Sequence, residues 1–128
     1  YFVEDPTVFM AQRTAGIINS NKPVRVYWSA LHMHELGKST RLWIDSEAGE
    51  ECLLDIPAWD FNWQYSYEIQ QSVVLNPGDV LGIECEWDNS ASNQHSVEGQ
   101  LLESQDVTWG DGTQDEMCLG ILYITEVE

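Results

Sequence analysis

Short runs of alternating apolar and polar residues, broken by turn-forming clusters, dominate the chain. Leu81, Ile83, Cys85 and Trp87 alternate with Gly82, Glu84 and Glu86. Successive side chains of an extended strand point to opposite faces, so this run predicts a strand with one buried and one wetted face. Asn76-Pro77-Gly78-Asp79 predicts a turn ahead of it and Asp88-Asn89-Ser90 a turn behind it. The same reading gives strands at Val24–Trp28, Arg41–Asp45, Glu51–Asp55, Tyr65–Ile69, Ser72–Leu75 and Leu119–Thr125. Short strands separated by turn signals predict an all-β fold, an antiparallel β-sandwich or jelly roll. Val8–Ile17 lacks strict alternation and reads alternatively as a short helix. Ser90–Thr113 is polar and weakly patterned, and reads as a long loop with one brief strand at most. Trp28, Trp43, Trp63 and Trp87 lie in or beside predicted strands and are expected to pack in the core. Stacking on sugar rings is the other use of so many indoles.

Composition narrows the setting. A length of 128 residues suits a single domain over 1–128, and 43% apolar content is enough to build its core. No apolar run approaches the roughly 18–20 residues that a membrane span requires. Five basic residues against 22 acidic ones give a formal net charge of −17. Such a surface repels phosphate backbones and anionic lipid, so nucleic acid and membrane are not the expected partners. The first residue is Tyr1 rather than Met, which fits a mature form or a piece of a longer protein. The three cysteines, Cys52, Cys85 and Cys118, form no CxxC pair, and their odd number permits one disulfide plus a remaining thiol.

His32-Met33-His34 is the first feature with chemistry in it. Residues i and i+2 of a strand share a face, so both imidazoles can reach one point while Met33 points the other way. Paired neutral imidazoles suit Cu, Zn, Fe or Ni. A third donor has several candidates. His95 lies in the polar loop, and the carboxylates of Asp111, Asp115 and Glu116 would favour a harder metal, form an acidic rim near it, or only share the general acidity of the chain. Met117 is the sharper choice, because a thioether beside two imidazoles favours copper, above all Cu(I). By residue type alone Met117 equally suits a core gap. Glu35 is placed to accept an imidazole N–H and orient its ring, or to be simply solvated. Cys85 on the buried face of a strong strand and Cys118 at the start of the last strand are the expected disulfide. Such a bridge would fix the backbone next to Met117 and belong to an oxidising compartment, secreted or extracellular, or periplasmic in a bacterium.

The segments Leu31-His32-Met33-His34-Glu35-Leu36-Gly37, Asp60-Phe61-Asn62-Trp63-Gln64, Asn76-Pro77-Gly78-Asp79, Glu84-Cys85 and Asp115-Glu116-Met117-Cys118 follow one another in that order. In order and spacing, from about Val24 to Thr125, they resemble the C-terminal domain of copper type II, ascorbate-dependent monooxygenases. That family includes peptidylglycine α-hydroxylating and dopamine β-monooxygenases. The resemblance implies a β-sandwich in which His32, His34 and Met117 hold the copper that meets O2 and a small-molecule substrate, with Cys85 bridged to Cys118. It also implies a second copper on a preceding domain, which this chain does not include. Ala30 stands where peptidylglycine-type members have an Arg for the peptide carboxylate, and Ile121 replaces a Tyr. Trp109-Gly110 and the DFNWQ block are closer to the dopamine-monooxygenase-like relatives. The competing expectations are a copper-binding module without catalysis and a structural or adhesive β-domain in a larger extracellular assembly. Cys52 matches no cysteine implied by the resemblance.

Overall fold

The computed structural model describes residues 9–17, as backbone, and residues 21–127. The chain is all-β, as the alternation predicts, and its strands form two antiparallel sheets. The strands are β1 (Phe9–Ile17), β2 (Val24–His32), β3 (Gly37–Ser46), β4 (Gly49–Ile56), β5 (Ser66–Leu75), β6 (Val80–Asp88), β7 (Ser96–Val97), β8 (Gln100–Leu101) and β9 (Leu119–Glu126). One sheet has the order β1-β6-β3-β4 and the other β5-β2-β9, while β7 and β8 form a small separate hairpin.

Val24, Val26 and Leu75 of the second sheet pack against Ile44 of the first, with Leu53, Ile69, Val73, Leu81 and Leu122 around them. A second cluster of Met33, Leu36, Cys85, Trp87 and Val107 fills the end where β2 runs out, with Trp59, Ile83 and Cys118 against it. Met33 is therefore buried, as the i, i+2 argument requires of the residue between the two histidines.

The helix reading of Val8–Ile17 is overturned. Phe9–Ile17 is a strand that pairs with β6 along its whole length, from Phe9↔Asp88 to Ile17↔Val80; Val8 lies outside the described residues. Nine residues of weak periodicity take the conformation that satisfies their backbone groups on an open sheet edge. The two predicted strands Tyr65–Ile69 and Ser72–Leu75 are one strand, β5, with an irregularity where its register jumps from Glu68 to Val73. Of the four tryptophans expected in the core, Trp43 and Trp87 are buried, whereas Trp28 and Trp63 are 42% and 65% exposed. Trp28 lies on the outer face of β2 and Trp63 in the loop before β5. Ser90–Thr113 is largely loop, as expected, but it carries a 3-10 turn at Ala91–Asn93 and two short strands paired as the β7–β8 hairpin, against an expectation of a single brief strand.

Both predicted turns form. Asp79 N–H donates to the Asn76 carbonyl at 3.0 Å, and Asp79 Oδ2 accepts from Asn76 N–H at 2.7 Å. Pro77 then Gly78, with φ 97° at the glycine, is the sequence a type II turn requires. At the other turn Ser90 N–H donates to Asp88 Oδ1, and hydrogen bonding from the Ser90 hydroxyl together with this N–H holds the Asp88 carboxyl below its ordinary value.

A β-bulge at Tyr27 sets the orientation of the functional end of β2. The register shifts between Val26 and Trp28 against both neighbouring strands. Before it, Val24 and Val26 face inward; after it, Ser29 and Leu31 do. The extra residue inverts the alternation, so Trp28, Ala30 and His32 come to the outer face.

Gly82 pairs with Trp43 across β3 and β6. A Cβ built on it would lie 2.1 Å from Trp43 Cζ2 and 2.2 Å from Cε2. The buried indole has no flexible end to move aside, so Gly82→Ala is expected to destabilise the chain by about 1–3 kcal/mol. Denaturant unfolding checks this; an unchanged midpoint would mean that Trp43 repacks freely.

Candidate metal centre

His32 ends β2, and His34 lies two residues further on, just past the strand. Their ring centroids are 5.2 Å apart with the planes at 77°. Two imidazoles whose nitrogens bond one tetrahedral ion at ~2.0–2.1 Å have ring centres roughly 5 Å apart. The observed spacing is thus compatible with a shared ion, as it is with edge-on ring packing.

Hydrogen bonds decide which nitrogens are available. His34 Nδ1 lies 2.8 Å from the Asp115 backbone carbonyl. A carbonyl only accepts, so Nδ1 carries the proton and Nε2 keeps its lone pair. His32 Nδ1 lies 2.6 Å from Gln64 Oε1. The Gln64 amide is itself oriented, because its Nε2 donates to the Phe61 carbonyl at 2.6 Å. Its oxygen therefore faces His32, and His32 Nδ1 is also the protonated nitrogen. A metal-binding imidazole commonly donates its other N–H to an oxygen, which fixes tautomer and ring orientation. Both rings have that arrangement.

The DFNWQ block and Trp59 just before it supply much of the support. Trp59 Nε1 donates to the His34 carbonyl at 3.0 Å, and the Phe61 ring meets the His34 ring edge-on at 6.2 Å. Within the block, Trp63 N–H donates to the Asp60 carbonyl and Asn62 N–H to Asp60 Oδ1, closing the loop on itself. Gly37 makes the close approach possible: a Cβ there would lie 2.5 Å from Trp59 Cδ1.

Met117 is half-buried and lies two residues from the carbonyl that holds His34. Among the described residues no group of three or more His, Cys, Asp or Glu side chains is placed to hold a metal ion. Met117 is carried on the segment bonded to His34 through Asp115 and Glu116. Cys118, next in sequence, is disulfide-bonded to Cys85, the pairing expected from the strand pattern. The bridge ties β6 of one sheet to the entry of β9 in the other.

Glu116 departs from the expected acidic rim. Its side chain is only 1% exposed. Oε2 accepts from His34 N–H at 2.9 Å, Trp87 Nε1 at 2.8 Å and Met117 N–H at 3.3 Å, and Oε1 accepts from Leu36 N–H at 2.7 Å. Its backbone is held as well, by the Thr108 carbonyl and Gly110 N–H. Asp115 is used internally, Oδ2 accepting from Gly112 N–H. Neither Gln64 nor the buried role of Glu116 is evident from residue type. The only sequence signal is their membership of the DFNWQ and DEMC segments.

Glu35 bonds an imidazole, but that of His95 rather than either member of the pair. The contact holds His95 over a cleft of about 140 Å³ lined also by Leu36, Val107 and Asp115. Cys52 is free and exposed on β4. Lost hydration and the nearby Asp55 carboxylate push its thiol above the ordinary value, which keeps thiolate scarce at neutral pH.

Among the described residues, no helix is long and apolar enough to cross a membrane. A comparison with curated proteins gives no match. A family model does match, over residues 10–128, and its description is copper type II ascorbate-dependent monooxygenase, C-terminal domain. The match takes in both histidines, the DFNWQ loop, the disulfide and Met117, so the chain belongs to the copper type II ascorbate-dependent monooxygenase family, as its C-terminal domain.

Proposed function

We propose that this chain binds one copper ion through His32 Nε2, His34 Nε2 and Met117 Sδ, and serves as the O2-activating domain of a monooxygenase that hydroxylates a C–H bond. The observation that carries the reading is the pair of Nδ1–H bonds to Asp115 O and Gln64 Oε1, which leaves both Nε2 lone pairs available on neighbouring rings. When bound, copper would supply a one-electron redox centre with an open position for O2, since two imidazoles and a thioether do not complete its coordination. The protein's part is orientation. Gln64 and Asp115 set the tautomers, Trp59 holds the His34 backbone carbonyl, Phe61 packs edge-on against the His34 ring, and the Cys85–Cys118 bridge limits the movement of Met117.

Hydroxylation with O2 takes up two electrons beyond those of the C–H bond, and a single copper holds one. The reading therefore includes a second copper domain upstream and ascorbate as reductant, and expects little or no turnover from this chain alone. A disulfide suits an oxidising setting, which supports a secreted or extracellular location.

The substrate side favours the dopamine-monooxygenase-like branch over the peptidylglycine type. Ala30 shares the outer face with His32 and pairs directly with Ile121, which is 59% exposed. An apolar pair thus lies where a guanidinium would be needed to hold a peptide carboxylate.

Metal analysis of the purified chain tests the core of the reading. The expected result is one equivalent of copper per chain, and uptake below about half an equivalent of Cu(I) would overturn it. The Cu(II) form should lack the intense blue colour of thiolate sites, because no cysteine sulfur belongs to the set. Ascorbate-dependent O2 uptake by the full-length protein then separates a catalytic domain from a copper-binding module.

A further inference from the structure

We propose that Glu116 is the positioning residue of the metal set, holding Met117 in register with His34. The inference rests on the His2Met reading above. Three of the four donors to its carboxylate come from the two ligand-bearing segments: His34 N–H and Leu36 N–H on one side, Met117 N–H on the other. The fourth, Trp87 Nε1–H, anchors the carboxylate to β6. One buried group, 82 positions from His34 in sequence, therefore closes a ring of contacts between the two ligand-bearing segments.

The two sides depend on it unequally. His34 has independent restraints: its Nδ1–H donates to Asp115 O, and its carbonyl accepts from Trp59 Nε1 and Gly37 N–H. Met117 has its N–H bond to Glu116, the disulfide of its neighbour and the backbone bonds of Glu116 to Thr108 and Gly110, but no hydrogen bond of its own side chain comparable to His34 Nδ1–H. Loss of the carboxylate should therefore release the thioether first and the imidazole later. A glutamine of the same shape does not replace it. If its oxygen takes the three donors now on Oε2, its NH2 opposes Leu36 N–H; the reverse orientation opposes the other three.

The test is a double-mutant cycle on the intact chain, titrated with Cu(I) and Cu(II) against chromophoric chelators and followed by the copper–sulfur signal in X-ray absorption. Glu116→Gln is expected to lower Cu(I) affinity by about tenfold or more, in the range typical for groups that orient metal ligands. It should affect Cu(II) much less and weaken the copper–sulfur signal. On a Met117→Ala background the same substitution should change Cu(I) affinity by less than about threefold, because its route of action is gone. Glu116→Asp, which keeps the charge but shortens the reach, should retain more of the sulfur signal than Glu116→Gln.

Equal losses in both backgrounds, or an unchanged sulfur signal, would overturn the proposal. So would failure of both Glu116 variants to fold while Met117→Ala folds, since the carboxylate would then be a general core support. If Met117→Ala itself leaves Cu(I) binding intact, the His2Met reading falls and this inference with it. If Met117→Ala weakens binding and Glu116→Gln does not, only this inference falls.

Discussion

Replacing Met117 with alanine is expected to weaken Cu(I) binding by about 100-fold while leaving Cu(II) binding within about tenfold of the parent chain. The asymmetry follows from donor softness: a thioether prefers the reduced ion, whereas the two imidazoles serve both oxidation states. A methionine that only fills space predicts something else. Its removal would open a cavity and lower stability by a few kcal/mol at most for a half-buried side chain, and would perturb both copper states alike. Parallel titration of the two oxidation states, together with a thermal melt, separates these outcomes. Equal losses would reduce Met117 to packing.

Removal of the disulfide is expected to have the largest effect on stability. The bridge joins residues 33 positions apart, and loop-closure entropy for such a length gives about 3–4 kcal/mol. For a chain of this size that lowers the melting temperature by roughly 10–15 °C. Cys85→Ala combined with Cys118→Ala is the suitable variant, since it leaves neither an unpaired thiol nor a buried hydroxyl at the position of the bridge. Cys85 is fully buried within the cluster of Met33, Leu36, Trp87 and Val107, so part of the loss will come from packing. Cu(I) affinity should fall in the same variant, because the bridge restrains the residue next to Met117. Full retention of stability would remove the link between the bridge and the site.

Much of the fold was legible because strand alternation and turn chemistry are local. The Leu81–Trp87 run, the Asn76–Asp79 turn and the burial of Met33 between two histidines all follow from neighbours in sequence. β1 was ambiguous because what makes it a strand is its ladder with β6, more than 60 residues away in sequence. Trp28 and Trp63 depart from the core expectation because an indole in or near a strand gives no indication of which side of the sheet it will face. The candidate ligands were visible as residue types and through their resemblance to a family. Their supports were not. Gln64 reads as an ordinary polar loop residue, and Glu116 as one acid among 22. Only the tertiary arrangement turns the first into an acceptor for His32 and the second into a buried hub. Glu35 fails for the same reason: adjacency to His34 suggested an imidazole partner, and the fold supplied His95 instead.

The Tyr27 bulge gives β2 something like a reading frame. Counted from the valines at its start, an uninterrupted strand would bring His32 round to the hydrocarbon interior and send Met33 out to water. One additional residue reverses both. Orientation of the imidazole pair is therefore encoded in the number of residues between Val26 and His32 more than in what those residues are. Drift in identity along this stretch leaves His32 on the outer face, whereas gain or loss of a single position would turn it inward, which makes length the quantity to compare among relatives.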